Sequence, residues 1–348
     1  MPDRLILSID AMGGDDAPGM VVEGIDIARQ RHPHVMFLMF GDKARIEPLM
    51  ARLPGLESAC VLRHTDEVIT NETKPSAALR GGKATSMRLA VDAVGSGEAA
   101  GVVSAGNTGA LMALAKFVFK TLPGIDRPAI ATYFPTERGA SVMLDLGANV
   151  ECDEHNLVQF AVMGEVFARN VLNREQPSIG LLNIGTEVLK GNEAVKKASA
   201  ILQKSDLPIK FHGFVEGDDI CAGTVDVIVT DGFTGNIALK TAEGTARMIT
   251  RALKEALMGS FLAKIGTLLA RSRLNEFRER LDPRRYNGAM LVGLNGICVK
   301  SHGSTDAIGF ANAIGVAVNL IEGGFNERIK EDLGHLFSES PEPRAAAL

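Results

Sequence analysis

The sequence is poor in aromatic residues: it contains no Trp and two Tyr, and aromatic residues make up 5% of its 348 positions. Proteins that bind single strands of nucleic acid stack the bases on aromatic side chains, so this scarcity argues against such a function. The sequence also has no run of 18 apolar residues, which a bilayer-spanning helix would need. Its first apolar run, residues 5–9, is too short for the core of a signal peptide.

Cysteine is scarce as well. The four cysteines are widely spaced, with no C-x-x-C motif and no histidine at metal-ligand spacing; they are Cys60, Cys152, Cys221 and Cys298. This pattern excludes a small disulfide scaffold and the usual zinc sites. We therefore expect reduced thiols, a cytoplasmic location and no bound metal.

The charge of the chain is unevenly distributed. The formal net charge is −5, but residues 251–285 hold nine Lys or Arg against four acidic residues. That segment therefore carries +5 and the rest of the chain −10. A mildly acidic protein with one basic segment is not expected to bind nucleic acid over its whole surface, although a local anionic partner is compatible with it.

Short apolar runs alternate with longer helical patterns along the chain. The strand candidates are residues 5–9, 35–40, 101–104, 129–133, 142–146, 178–183, 209–215 and 225–230, and clear helical patterns cover 20–31, 154–172, 193–204 and 235–257. This alternation predicts a three-layer α/β/α fold with a mostly parallel sheet. We expect one catalytic unit over residues 1–337, with a helical projection at about 255–285 and a flexible tail at 338–348.

Six clusters rich in Gly, Asn and Thr follow or flank these strand candidates. They are residues 10–15, 104–109, 145–149, 183–187, 231–236 and 293–296. Because the carboxyl ends of parallel strands line one edge of a sheet, we expect these loops to share one cleft. Three of them precede helices, whose N-termini favour an anion such as phosphate.

Familiar catalytic motifs are missing. Gly95-Ser-Gly-Glu-Ala-Ala-Gly101 precedes a strand, so it is not a dinucleotide fingerprint, and Arg80-Gly-Gly-Lys-Ala-Thr85 lacks the first Gly of a P-loop. Ser104 lacks the first Gly of a nucleophile elbow. No His is followed by Asp five positions later, which excludes the motif of glycerolipid acyltransferases.

The loop motifs resemble those of the PlsX family of acyl-acyl-carrier-protein:phosphate acyltransferases. The resemblance begins at Asp10-Ala-Met-Gly-Gly-Asp-Asp-Ala-Pro18 and spans about residues 5–320 in the family's order. Its further blocks are Val103-Ser-Ala-Gly-Asn-Thr-Gly-Ala110, Leu144-Asp-Leu-Gly-Ala-Asn149, Leu182-Asn-Ile-Gly-Thr-Glu187, Lys190-Gly-Asn192, Asp231-Gly-Phe-Thr-Gly-Asn236, Gly293-Leu-Asn-Gly296 and Val299-Lys-Ser-His-Gly303.

The resemblance implies transfer of a fatty acyl group from acyl carrier protein to inorganic phosphate. The product, acyl phosphate, would feed the membrane acyltransferase PlsY in bacterial phospholipid synthesis. The family is similar in fold to phosphotransacetylases and to isocitrate/isopropylmalate dehydrogenases. The family acts as a homodimer, and the resemblance implies no organic cofactor or metal.

Phosphate itself is a nucleophile, so such a reaction needs no acyl-enzyme Ser or Cys. The site must hold the dianion near a thioester, stabilise an oxyanion and protonate the departing thiolate. For these roles we select Asn236 as oxyanion donor, Lys190 as the phosphate's counter-charge and His302 as proton donor. The alternatives are a solvated surface for Lys190 and a structural hydrogen bond for His302.

The remaining candidates would bind phosphate or shape its loops. They are Asp10, Gly13, Gly14, Asn107, Thr108, Asn149, Thr186, Thr234, Gly235 and Lys300. Lys300 is a second candidate counter-charge for phosphate. Because the carboxylate of Asp10 would repel phosphate, we expect it to orient cationic or amide groups. Asn149 has the alternative role of capping a turn.

The basic segment contains an amphipathic helical pattern. The candidate contact residues are Leu257, Phe261, Leu262, Ile265, Arg271, Arg273 and Arg278. Three interpretations remain open: a helix facing the core or a dimer partner, peripheral contact with anionic lipid on the inner face of the cell membrane, and docking of acyl carrier protein.

Two other functions compete with acyl transfer. A decarboxylating NAD(P) dehydrogenase of the related fold would need an acidic residue for the adenine ribose and a metal-binding carboxylate cluster, and neither is found. A non-catalytic scaffold that binds lipid or carrier protein would not require the Asn-, Thr- and Lys-bearing loops.

Overall fold

The computed structural model describes residues 5–205, 207, 209–280 and 282–338. Eleven strands form one sheet: β1 Leu5–Asp10, β2 Val35–Gly41, β3 Cys60–His64, β4 Gly101–Ser104, β5 Ala129–Thr136, β6 Gly139–Leu144, β7 Ser178–Leu182, β8 Lys210–Val215, β9 Val227–Val229, β10 Ala289–Val292 and β11 Ile297–Lys300. Their order is β3-β2-β1-β4-β11-β10-β5-β6-β9-β7-β8.

The helices cover both faces of this sheet. They are α1 Gly19–Arg31, α2 Lys43–Met50, α3 Pro75–Gly81, α4 Ser86–Gly95, α5 Thr108–Phe119, α6 Glu154–Leu172, α7 Glu193–Lys204, α8 Gly217–Ala222, α9 Gly232–Met258, α10 Phe261–Leu269, α11 Arg271–Arg280, α12 Ala307–Glu322 and α13 Phe325–Ser338; short 3₁₀ helices occupy Glu57–Ala59 and Pro283–Tyr286. The buried apolar residues form two clusters. One contains side chains of α1, α6 and α12, and the other contains side chains of α4 and α5. The predicted three-layer α/β/α fold is confirmed.

The sheet consists of two parallel blocks that run in opposite directions. The first block is β3-β2-β1-β4-β11 and the second is β6-β9-β7-β8. Between them, β10 pairs antiparallel with β11 and with β5, and β5 pairs antiparallel with β6. The sheet is therefore mostly parallel, as predicted.

This topology corrects the expectation that all six polar loops lie on one edge of the sheet. Residues 10–15 and 104–109 follow strands of the first block, whereas residues 145–149, 183–187 and 231–236 follow strands of the second. Residues 293–296 form the turn between β10 and β11, two strands that the sequence reading did not predict. Because β10 and β5 pair antiparallel with their neighbours, the strands of the two blocks run in opposite directions. The loops that follow them therefore form two separate groups.

Helix α9 has 27 residues, and only Gly232 and Gly235 of its first turn are buried. At about 1.5 Å per residue, a helix of this length spans about 40 Å. It continues into α10, which has no buried residue. The segment predicted as a helical projection, about 255–285, begins in the last turn of α9 and continues through α10 and α11.

No single helix among the described residues is both long and apolar enough to cross a membrane. Helix α12 and residues 325–331 of α13 satisfy the length and composition criteria only as a pair, which is bent by 47°. Residues 339–348, most of the predicted flexible tail, lie outside the described residues.

Candidate active site

Asp10 ends β1 as a buried carboxylate enclosed by hydroxyl groups. Its Oδ1 accepts a hydrogen bond from Ser86 Oγ and its Oδ2 accepts one from Ser104 Oγ, both at 2.7 Å. All three residues are at most 1% exposed. Burial raises the pKa of Asp10, and the two hydroxyl donors oppose that rise. The side chains that the structure places on Asp10 are thus hydroxyl donors, whereas the sequence predicted cationic or amide groups.

The loop after β1 is tightly packed against the loop after β4. A Cβ atom on Gly13 would lie 2.5 Å from Asp10 Oδ2 and 2.6 Å from Gly106 N, so no side chain fits there. Gly14 has φ +116°, a conformation that favours glycine. The two glycines therefore bring the two loops together around Asp10.

Lys300 ends β11 beside this carboxylate. Its Nζ donates hydrogen bonds to the carbonyl oxygens of Ala105, at 3.3 Å, and of Ser301. Burial lowers the pKa of Lys300 to about 8, and the charges of Asp10 and Asp15 oppose this fall. A large fraction of Lys300 is therefore charged near neutral pH, as a phosphate-binding group must be.

His302 lies in the loop after Lys300, and its side chain is exposed. Its Nδ1 is 3.1 Å from Ser304 Oγ, and its backbone N–H donates to Asn287 Oδ1 at 2.9 Å. Partial burial lowers the pKa of His302, as do the charges of Lys300 and Lys240, whereas Glu243 raises it. The ring is therefore close to both Lys300 and helix α9.

Asn107 and Thr108 lie where β4 passes into α5. Asn107 Oδ1 accepts from Ala110 N at 3.0 Å and so caps the helix. Its Nδ2 is shared among the carbonyl oxygens of Thr70, Asn71 and Thr73. The side chain of Asn107 is thus used in structure, while Thr108 is exposed at the helix N-terminus.

Among the loops that follow the second parallel block, the loop after β6 is organised by Asp145. Its buried carboxylate accepts from the backbone N–H groups of Ile130, Ala148 and Asn149. Asn149 Nδ2 donates to Asp145 Oδ2 at 2.9 Å and to Pro128 O at 2.8 Å. The amide of Asn149 therefore shapes the turn, which is the alternative that the sequence left open.

The first turn of α9 packs directly against this loop. A Cβ atom on Gly235 would lie 2.0 Å from Asp145 O, and one on Gly232 would lie 2.6 Å from Asn149 O. Asp231 caps the helix, accepting from Thr234 N and from Thr234 Oγ1 at 2.8 Å each. Thr234 and Gly235 are thus fixed by local packing.

Asn236 is exposed in this same turn, next to Gly147. Its side chain makes no hydrogen bond to any residue that the structure describes, so its amide is accessible to a substrate.

Thr186 and Lys190 lie in the loop after β7, and both are exposed. Asn183 Nδ2 holds this loop by donating to the carbonyl oxygens of Gly185 and Lys190 at 3.1 Å. Three apolar side chains of the loop are also exposed, namely Ile184, Val188 and Leu189 at 77%, 76% and 89%. The sequence reading missed this apolar surface.

The strand order divides the predicted residues into two clusters, each defined by the block of parallel strands from which its loops extend. The first contains Asp10, Gly13, Gly14, Asn107, Thr108, Lys300 and His302; the second contains Asn149, Thr186, Lys190, Thr234, Gly235 and Asn236. Helix α9 links them, because it starts at the second cluster and its Lys240 and Glu243 act electrostatically on His302. Among the described residues, no group of three metal-ligating side chains is found.

The apolar residues of α10 do not pack into the core of this chain. Phe261, Leu262 and Leu269 are 78%, 79% and 83% exposed, and Ile265 is 43% exposed. Arg271 and Arg273 are also exposed, Leu257 is partly buried, and the side chain of Arg278 lies outside the described residues. The core-facing interpretation of this helix is wrong.

Comparison with known proteins identifies the family. The model of the family described as "Fatty acid synthesis protein" matches residues 5–328. The phosphate acyltransferase of Paramagnetospirillum magneticum is 63% identical over 336 residues, which cover 97% of this chain and 96% of that protein. The chain belongs to this family. It is an acyltransferase, and the phosphate acyltransferase of Rhodospirillum rubrum is 60% identical over 333 residues, covering 96% and 95% of the two chains.

Solved structures support the fold of this acyltransferase. A phosphotransacetylase from Streptococcus pyogenes superposes with a TM-score of 0.60 at 18% identity, covering 92% of this chain and 95% of that one. The EutD phosphotransacetylase from Staphylococcus aureus gives 0.57 at 18% identity over 92% and 94%. The predicted similarity to the phosphotransacetylase fold is confirmed.

Proposed function

We propose that the acyltransferase moves a fatty acyl group from acyl carrier protein to inorganic phosphate, producing acyl phosphate for phospholipid synthesis. Its family membership and the phosphate acyltransferase relatives support acyl transfer to phosphate. The exposed apolar side chains of residues 184–189, next to the polar loops of the second cluster, suit an acyl chain.

One observation about the site carries the mechanism. The hydroxyl group of Ser104 is fully buried and donates to Asp10, so it is not presented to a substrate. Burial also raises the pKa of Cys60, Cys152 and Cys298, which disfavours their thiolates. A direct attack by phosphate needs neither kind of nucleophile.

In this mechanism an oxygen of phosphate attacks the thioester carbonyl carbon. Lys300 holds the phosphate charge, assisted by the loop of Gly13 and Gly14 and by the α5 N-terminus at Thr108. Asn236 donates to the oxyanion that forms on the carbonyl oxygen. A C–O bond forms and the C–S bond breaks, while His302, which is neutral beforehand because its pKa is lowered, takes the proton of the attacking hydrogen phosphate and passes it to the departing thiolate.

The exposed helices supply the proposed partner surface. The apolar residues of α10 fit the interface of an anionic membrane, and Arg271 and Arg273 add electrostatic attraction to lipid or to the acidic carrier protein. We extend the proposal to a homodimer of one catalytic unit per chain over residues 1–337, located in the cytoplasm and peripherally on the inner face of the cell membrane. There it would deliver acyl phosphate to PlsY.

The proposal is tested by mixing the protein with acyl carrier protein thioester, with and without phosphate, and trapping acyl phosphate with hydroxylamine. Phosphate-dependent hydroxamate is the expected result. Thioester loss that is independent of phosphate would falsify the proposal. Family membership leaves the dehydrogenase and scaffold alternatives without a supporting observation.

A further inference from the structure

A single amide, Asn287, organises the loop that follows Lys300 and carries His302. Asn287 is 8% exposed and lies outside every motif of the sequence. Its Oδ1 accepts from the backbone N–H of His302 at 2.9 Å. Its Nδ2 donates to Ser301 Oγ at 2.8 Å and to Gly309 O at 2.7 Å, with Thr305 Oγ1 at 3.4 Å.

These contacts connect Asn287 to the Asp10 cluster. Ser301 N donates to Ser104 O at 2.9 Å, and Ser104 Oγ donates to Asp10. Ser301 O in turn accepts from Lys300 Nζ. Residue 301 is therefore held by Asn287 on one side and by β4 on the other, with Lys300 directly before it.

The segment that carries Asn287 is itself fixed to α12. Arg284 O accepts from Asn312 Nδ2 at 2.7 Å, and Arg284 Nη1 donates to Asp306 at 3.0 Å. This segment follows α11, so it is the point where the exposed helices return to the sheet. Asn287 thus lies between that return point and the loop of residues 301–305.

We propose that Asn287 is a positioning residue of the acyl-transfer site, which keeps the loop of residues 301–305 in the arrangement that places Lys300 beside Asp10 and His302 beside α9. This inference rests on the proposed function. Asn287 does not contact the reacting atoms; it acts through Lys300 and His302. A displacement of about 1 Å in an active site can lower the rate about a hundredfold. Loss of the hydrogen bonds of Asn287 should therefore lower kcat.

The pH dependence reports on this positioning. The charged and titratable groups that act on Lys300 are Asp10, Asp15 and Cys298, and Lys300 in turn acts on His302. If the loop moves away from Asp10 and becomes hydrated, the pKa of Lys300 rises from about 8 toward the usual lysine value. The alkaline fall in activity then moves to higher pH.

The test compares Asn287→Leu with Asn312→Leu. Both variants lose an amide that fixes the same segment, but only Asn287 bonds to the site loop. We expect Asn287→Leu to lower kcat by about tenfold to hundredfold with a displaced alkaline limb. Asn312→Leu should keep the wild-type pH profile. A folded Asn287→Leu with wild-type kcat and pH profile would overturn the proposal.

Ser301→Ala keeps the proposal testable if Asn287→Leu does not fold, because it removes only one hydroxyl group. We expect the same displacement of the alkaline limb, to a smaller extent, and its absence would overturn the proposal. Where both fold, their effects on kcat should be non-additive, since they interrupt one hydrogen bond.

A readout independent of activity separates this inference from the proposed function. Backbone amides of residues 301–305 should exchange faster with deuterated water in Asn287→Leu than in Asn312→Leu. If the wild-type protein makes no acyl phosphate, the proposed function fails while this exchange difference still holds. Equal exchange in the two variants contradicts the positioning role.

Discussion

Ser104 donates its hydroxyl hydrogen to Asp10 across 2.7 Å, and neither residue is more than 1% exposed. The hydroxyl group therefore stabilises a buried carboxylate and does not face a substrate. This pairing argues against Ser104 as the nucleophile of an acyl-enzyme mechanism.

Ser104→Ala should reduce activity only in part. The change removes a buried hydrogen bond to Asp10, which costs about 1–3 kcal/mol of stability. Ser141→Ala is a matched control, because Ser141 is also a buried strand serine and donates to Val225 O at 2.7 Å. Mass spectrometry of the wild-type protein after mixing with acyl donor alone should show no acyl adduct; an adduct lost in Ser104→Ala contradicts direct attack.

The pH dependence of phosphate binding should follow Lys300. Its charged form predominates below a pKa of about 8, so the KM for phosphate should rise above that pH. Asp10 raises this pKa, and Asp10→Asn should therefore move the alkaline limb to lower pH. Asp15→Asn should move it in the same direction by less, because Asp10 has the larger effect.

Lys300→Arg tests whether Lys300 is the group that titrates, since arginine stays charged throughout the pH range of the alkaline limb. Its alkaline limb should disappear even if its overall rate is reduced. An unchanged limb in Lys300→Arg would assign the titration to another group.

Asn236→Ala should lower kcat by about a hundredfold to a thousandfold with a smaller change in KM, because an oxyanion donor acts mainly in the transition state. Thr245→Ala, an exposed substitution further along α9, serves as the control. Unchanged turnover of a folded Asn236→Ala removes the oxyanion role.

Substitutions in the exposed helices should distinguish contact with lipid from docking of acyl carrier protein. Leu262→Glu combined with Leu269→Glu should abolish binding to vesicles of anionic phospholipid while solution turnover remains normal. Charge reversal at Arg271 and Arg273 tests the basic residues. A raised KM for acyl carrier protein without vesicles indicates docking, and lost vesicle binding alone indicates lipid.

Much of the fold was predictable because it depends on local patterns. Helices α6 and α7 have the predicted bounds, and their caps Asp153 and Asn192 are recognisable side-chain acceptors. Strands β3, β10 and β11 were not predicted, and the Gly-rich turn that joins β10 to β11 resembles a phosphate loop. The reversal of strand direction follows from these pairings, which no local pattern encodes.

The motif residues of the site could be predicted from the sequence, whereas the residues that hold them in place could not. Asp10, Lys300 and Asn236 lie in recognisable motifs. Ser86 is an isolated residue in the sequence, and its partner Asp10 is 76 positions away. Asn287 is isolated as well, and its partners follow 14 to 22 positions later. Ser104 was considered only as a nucleophile. Its actual role required the position of Asp10, which only the packing of β1 beside β4 provides.

The claim that a phosphate oxygen attacks the carbonyl carbon is tested most directly with phosphate labelled with ¹⁸O at all its oxygens. With acyl carrier protein thioester as donor, the acyl phosphate formed should retain every labelled oxygen, because phosphate attacks the carbonyl carbon and no P–O bond breaks. Acyl phosphate that has lost one labelled oxygen would contradict the account, since it would require cleavage at phosphorus.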